Sequence, residues 1–147
     1  MKRYLFLIVL GLGINTISFA QKEEKEGKKD EAPQALKASF LKTFPGSSHI
    51  KWEKEGANYE AEFTHSRKKM SAVYDTKGTL LETETGMKPA ELPSVILQYV
   101  RDNYKGAAIR EAAKIASSGG EITYEAEVNK IDLIFDANGK FLKQVKD

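Results

Sequence analysis

Tyr59-Glu60-Ala61-Glu62-Phe63, followed by Val73-Tyr74-Asp75-Thr76-Lys77-Gly78-Thr79-Leu80-Leu81, is the stretch on which the reading of this chain turns. The same phrase returns as Tyr124-Glu125-Ala126-Glu127-Val128 and then Ile134-Phe135-Asp136-Ala137-Asn138-Gly139-Lys140-Phe141-Leu142. Each copy joins an alternating strand to a strand-turn-strand whose turn reads Asp-x-x-Gly. Asp suits the first position of a type I turn, and Gly tolerates the positive φ needed where the next strand restarts. The skeleton is a β-meander that occurs twice.

Working outward, each copy is preceded by a helical pattern. Leu36, Phe40 and Phe44 recur at i, i+4, i+8 behind Pro33, with Leu41 flanking them, and Pro45-Gly46 stops the run. The counterpart opens at Pro93, carries Ile96, Val100 and Tyr104 at the same spacing, and ends at Lys105-Gly106. A period of roughly 60 residues follows, one helix and then strands. The first copy predicts strands over Ile50–Glu55, Tyr59–Thr64, Met70–Tyr74 and Thr79–Thr85, with His65 to Lys69 as a polar loop. The second predicts them over Ile109–Ala116, Thr123–Val128, Ile131–Phe135 and Phe141–Val145. The expected fold is α+β, a tandem duplicated unit in which one helix packs on an antiparallel four-stranded meander sheet. Repeat one spans residues 32–87 and repeat two residues 91–147, with Gly86 to Glu91 as the joint.

The start of the chain is of another kind. Lys2-Arg3, an apolar run from Tyr4, and Ser18-Phe19-Ala20 read as a secretory signal peptide over residues 1–20. The run carries Gly11, Gly13, Asn15 and Thr16 and is short for a membrane-spanning helix, so no anchor is expected after cleavage. Residues 21–31 (QKEEKEGKKDE) hold no apolar side chain to bury and read as a charged disordered linker. The chain has no cysteine, which removes disulfides, thiolate metal sites and a Cys nucleophile. An exported chain without disulfides suits a bacterial periplasm or surface. Once Lys2 and Arg3 are set aside, 21 acidic residues are matched by as many basic ones. No element carries the basic excess that nucleic-acid binding needs.

Candidate chemistry is sparse. His49 and His65 sit beside Ser47, Ser48 and Ser66, but neighbours in sequence do not make a triad, and two histidines fall short of a structural zinc site. Alternation puts Tyr59, Ala61 and Phe63 on one face of their strand and Glu60 and Glu62 on the other, as it does Glu125 and Glu127. Such carboxylates could run glycoside hydrolysis only in a cleft that desolvates one of them. The simpler expectation is a solvated ladder with Lys51, Lys54, Lys130 and Lys143, worth roughly 0–1 kcal/mol per pair. Calcium would need an Asp-rich loop that is lacking. Trp52 reads as core. Val73 and Ile134 place an apolar residue among these outward charges at matching positions. Glu60, Glu62, Val73, Glu125, Glu127 and Ile134 therefore form the candidate partner face, an apolar centre ringed by charge.

The helix ending Phe44-Pro45-Gly46, then Ile50-Lys51-Trp52, the Tyr59 to Phe63 phrase and Tyr74 to Gly78 together resemble the PepSY-like, β-lactamase-inhibitor-like family of secreted bacterial proteins. Leu92-Pro93, Tyr104, Tyr124 to Glu127 and Phe135 to Gly139 repeat the likeness, which covers residues 32–147. The resemblance implies tandem helix-plus-sheet units, a periplasmic or secreted location and an inhibitor or binding role, with no established activity; from the residues themselves no catalytic site, cofactor or metal is expected. The function expected is recognition of a protein or peptide partner through outer sheet faces and loops. The alternative is sequestration of a small ligand or metal ion between the two halves. Export is checked by the intact mass of protein from the envelope fraction, which should begin at Gln21; a retained Met1 would contradict the leader.

Overall fold

The computed structural model describes residues 32–146. The expected leader over residues 1–20 and the linker over 21–31 lie outside the described residues. Helix α1 (Gln34–Thr43) precedes strands β1 (Ser48–Glu55), β2 (Asn58–His65), β3 (Lys68–Tyr74) and β4 (Leu80–Met87). A single 3₁₀ turn at Pro89–Glu91 leads into helix α2 (Ser94–Asn103), then β5 (Ile109–Ser117), β6 (Ile122–Val128), β7 (Ile131–Asp136) and β8 (Phe141–Lys146). Pro33 and Pro93 stand at the two N-caps. Gly46 and Gly106 follow the helices at φ 75° and 76°, a region that lacks a Cβ penalty only for glycine.

The strands do not form two sheets. They make one antiparallel eight-stranded sheet in the order β1 to β8, because β4 pairs directly with β5 from Glu82↔Ser117 to Met87↔Ala112. The expected pair of separate four-stranded sheets is thus replaced by one continuous sheet, and the expected joint is largely the end of β4.

Two apolar clusters hold the helices to the sheet. Leu36 and Phe40 of α1 meet Ala61, Phe63, Ala72 and Tyr74. Phe40 lies edge-on to Phe63 at 4.8 Å and to Trp52 at 5.5 Å, so Trp52 serves the core. Ile96 and Val100 of α2 meet Ala112, Ala126, Val128, Leu133 and Phe135. Alanines Ala61 and Ala72 lie under α1, and Ala112 and Ala126 under α2. Ile50, expected beside Trp52, falls at a bulge between Ser48 and Lys51, where His49 takes φ 54°, and it is exposed.

Both Asp-x-x-Gly turns have the expected form. Asp75 Oδ1 accepts from the Lys77 and Thr79 amides at 2.9 and 2.8 Å; Asp136 Oδ1 accepts from Asn138 and Lys140 at 2.9 and 2.9 Å. Gly78 and Gly139 sit at φ 83° and 82°. The segment from His65 to Lys69, expected as a loop, is instead a two-residue hairpin turn. Ser66 and Arg67 take φ 49° and 65°, matching Asn129 and Lys130 at 54° and 64°. Both central residues at positive φ define the type I′ turn, whose twist suits a tight hairpin.

The glycines of the two long turns are distinguishable. A Cβ on Gly78 meets nothing within 4 Å, whereas one on Gly139 comes within 3.1 Å of Val95 Cβ on α2. Gly78→Ala should cost about 1 kcal/mol, from backbone strain alone. Gly139→Ala should cost more, because α2 must also shift. Urea unfolding midpoints of the two variants check this; equal losses would contradict the contact between this turn and α2.

Candidate functional site: the helix-free face

Directly opposed residues of antiparallel strands share a face, so the register carries one side of the sheet across all eight strands. On the side away from both helices, Glu53↔Glu60, Glu60↔Val73, Val73↔Glu82 and Glu82↔Ser117 make one row. Beside it run Lys51, Glu62, Ser71, Glu84 and Ile115. Further along, Ala113↔Glu125, Glu125↔Ile134 and Ile134↔Lys143 are opposed, then Glu127↔Asp132. All six residues of the candidate partner face therefore lie on one surface. They differ in access: Glu62 is exposed, Glu60 and Val73 are half-buried, and Glu125, Glu127 and Ile134 are buried. Val73 and Ile134 match in position but not in exposure.

The solvated ladder is realised only in part. Lys51 Nζ lies 2.6 Å from Glu53 Oε1 and 3.6 Å from Glu62 Oε2. Lys54 opposes Tyr59 on the helix side, and Lys130 occupies the β6–β7 turn. Glu60 is directly opposed by Glu53 and Val73, a like charge and a methyl pair, where a ladder would have supplied a cation.

The consequence is electrostatic. Burial, opposed by a bond from the Ser71 hydroxyl and reinforced by Glu55, Glu62 and Glu84, pushes the Glu60 carboxyl up to about 7. Burial and Glu84 push Glu82 up to about 7, with Lys143 opposing. Lys143 lies on β8 and Glu82 on β4 of the same sheet. Glu55 is 8% exposed, and its Oε1 is buried with no donor in reach. Burial raises its pKa, while a hydrogen bond with Glu60 opposes the rise. Two facing carboxyls can bond only if one of them holds a proton.

An open groove of about 940 Å³ crosses the end of this face near the β2–β3 hairpin. It is lined by Glu60, Glu62, Ser71 and Glu84 of the first half, by Glu125 and Asp132 of the second, and by Arg67, Lys68, Lys88 and Arg110. Alternation puts Glu60, Glu62 and Ser71 on this face in the sequence but not Glu55, Glu82 or Glu84. The Glu82-Thr83-Glu84-Thr85 alternation carried that signal for β4.

The arrangement does not divide acid from base. Glycosidase chemistry needs two carboxyls driven apart in pKa, and here Glu60 and Glu82 are driven the same way. Ser47 Oγ donates to the Phe44 carbonyl at 2.9 Å and lies 3.2 Å from His65 Nδ1. The ring also stands edge-on to Phe44 at 5.9 Å. Among the described residues no cluster of His, Asp and Glu suits a metal ion, and no helix is long and apolar enough to cross a membrane.

The family model described as "putative beta-lactamase-inhibitor-like, PepSY-like" matches twice, over residues 19–82 and 57–143. The chain belongs to the PepSY-like family. Solved structures share the PepSY-like fold at low identity. A protein of Bacteroides eggerthii described as periplasmic superposes with a TM-score of 0.72 at 15% identity, covering 78% of this chain and 88% of that one. A BLIP-like protein of Bacteroides fragilis gives 0.61 at 23% identity, over 78% and 86%. A protein of the DUF2874 family from Bacteroides uniformis gives 0.70 at 15%, over 78% and 89%. No curated protein matches the chain in sequence.

The two raised carboxyls fix the sign of a pH effect. A carboxyl near 7 in the folded state and 4.5 unfolded holds a proton only when folded between those values, so stability falls as pH rises from about 4.5 to about 7. Melting temperature should therefore drop between pH 5 and pH 7.5. Glu60→Gln should flatten the slope and add on the order of 1 kcal/mol at pH 8, after discounting for the water that still reaches this half-buried group. A slope unchanged in the variant would contradict the assignment.

Proposed function

We propose that this PepSY-like protein is an exported, non-enzymatic binding module that engages a protein or peptide partner through the helix-free face of its sheet. The observation that carries this reading is the gathering of Glu60, Glu62, Val73, Glu125, Glu127 and Ile134 on one surface that neither helix needs. A face with no partner gains nothing from desolvated, mutually opposed carboxylates, whereas an interface can neutralise them. The description of the family, and the BLIP-like name of the Bacteroides fragilis neighbour, support an inhibitor-like role. The twice-matching family model and the paired Asp-x-x-Gly turns support a tandem duplication, with units over 32–87 and 91–147. The leader read over residues 1–20 and the periplasmic description of the Bacteroides eggerthii neighbour support a periplasmic location, with no membrane anchor after cleavage.

Val73 is the place to test the face, since it is half-buried between Glu60 and Glu82. Val73→Lys should leave melting unchanged or raise it, by supplying the missing cation, while abolishing retention of the partner recovered from periplasmic extract. Ile134→Lys is the contrasting control. At 0% exposure it should cost roughly 2–5 kcal/mol by burying a charge beside Lys143. A stable Val73→Lys protein that still holds its partner would move the binding surface to the loops.

A further inference from the structure

The two halves offer an internal comparison. In the second half, Ile134 stands between Glu125 and Lys143, so opposite charges flank the apolar residue. In the first half, Val73 stands between Glu60 and Glu82, and both flanks are acids. The position that holds lysine in one half holds glutamate in the other. Lys143 offsets part of this difference at Glu82, whereas the groups around Glu60 are mostly acids. Glu60 faces Glu53 and Glu55 from β1, Glu62 from its own strand, Ser71 from β3 and Glu84 from β4. Glu82 faces Glu84 from its own strand, Ser117 from β5 and Lys143 from β8. Lys51, on the same face, already serves Glu53 and Glu62. Glu55 is more than nine-tenths buried, bonds towards Glu60, and keeps Oε1 without a donor.

Resting on the partner-face reading, we infer that the acidic patch around Glu55, Glu60 and Glu82 receives a lysine or arginine side chain from a short basic segment of the protein partner. Such a side chain supplies donors that Glu55 Oε1 lacks and the charge that the second half carries in Lys143. Arg67, Lys68, Lys88 and Arg110 line the groove that adjoins the patch at Glu60 and repel a broad basic surface, so the segment is narrow. A metal ion is disfavoured because these carboxylates do not converge as a ligand set among the described residues. A proton and the incoming cation compete for the same carboxyls, which couples binding to pH. With the two carboxyls near 7, each one that must ionise strengthens binding by about tenfold between pH 6 and pH 8.

The test is calorimetric titration of protein from the envelope fraction with a capped arginine-glycine repeat peptide at pH 6, 7 and 8. Low ionic strength is used, because screening weakens such contacts. Buffers of different ionisation enthalpy count the protons released. The inference expects binding that tightens at least tenfold from pH 6 to pH 8, with proton release and amide shifts at Ser71, Val73 and Glu82. A glutamate-glycine repeat should not bind. Glu60→Gln should weaken binding at pH 8 and reduce its pH dependence. Glu82→Lys, which copies the second half's row into the first, should abolish it while the protein stays folded. Binding indifferent to pH, or to both variants, would overturn the inference. So would calcium chloride alone producing the same proton release, which would make the patch a cation site. A peptide that fails to bind, while Val73→Lys still releases the natural partner, overturns the basic segment and leaves the partner face standing; failure of both removes both.

Discussion

The pairing of β4 with β5 is the constraint on which the rest of this structure depends. The hydrogen bonds from Glu82↔Ser117 to Met87↔Ala112 fuse two meanders into one sheet and fix which residues share a side. Slipping that register by one residue would invert the second half, because side chains alternate with a period of two. Ala112, Ala126 and Leu133 would leave α2, and Glu125 would enter the core in their place. The apolar clusters therefore enforce the alignment of the two charged surfaces. Neither half alone creates the extended helix-free face.

The elements were legible in the sequence because their signals are local. Leu36 and Phe40 at helical spacing, the Tyr59 to Phe63 alternation and the Asp-x-x-Gly turns each lie within a dozen residues. The β4–β5 pairing was not legible, since the 3₁₀ turn and α2 intervene between the partners. Without it, two sheets and one sheet have the same alternation. The Ser66-Arg67 turn escaped notice because neither residue announces positive φ, as Asn-Gly would have. Of the site, Glu60, Glu62 and Val73 could be read from their own strands. Glu55, Glu82 and Glu84 fall within predicted strands, but their own windows do not say which face they share with Glu60. Their effect on Glu60 depends on cross-strand register, which no single window of sequence contains.

Where cations are available on this face, the chain uses them. Lys51 sits between Glu53 and Glu62, and Lys143 opposes Ile134 next to Glu125. The patch around Glu60 is thus an exception within a surface that otherwise follows the ordinary rule for cross-strand charge. Desolvating a carboxylate beside others destabilises the folded state at neutral pH, and one lysine in place of Glu82 would relieve much of it. A purely structural sheet face has no use for that penalty, and its presence favours an interaction that removes it.

The two halves separate the structural part of the design from the rest. Under the helices they agree in kind: Ala61 and Ala126, Ala72 and Leu133, and Tyr74 and Phe135 all remain apolar and buried. The turns agree atom for atom in their Asp hydrogen bonds. On the opposite face they disagree in charge, with Glu82 against Lys143, Ser71 against Asp132 and Glu84 against Val145. Folding constrains the first set identically in both halves, since each helix needs the same floor. It does not explain why the second set should differ, because a twofold ladder of Glu and Lys would satisfy either half. The asymmetry makes the first half the acidic pole of the surface. A partner that met both halves would have to be asymmetric as well, presenting positive charge to β2–β4 and a different chemistry to β6–β8.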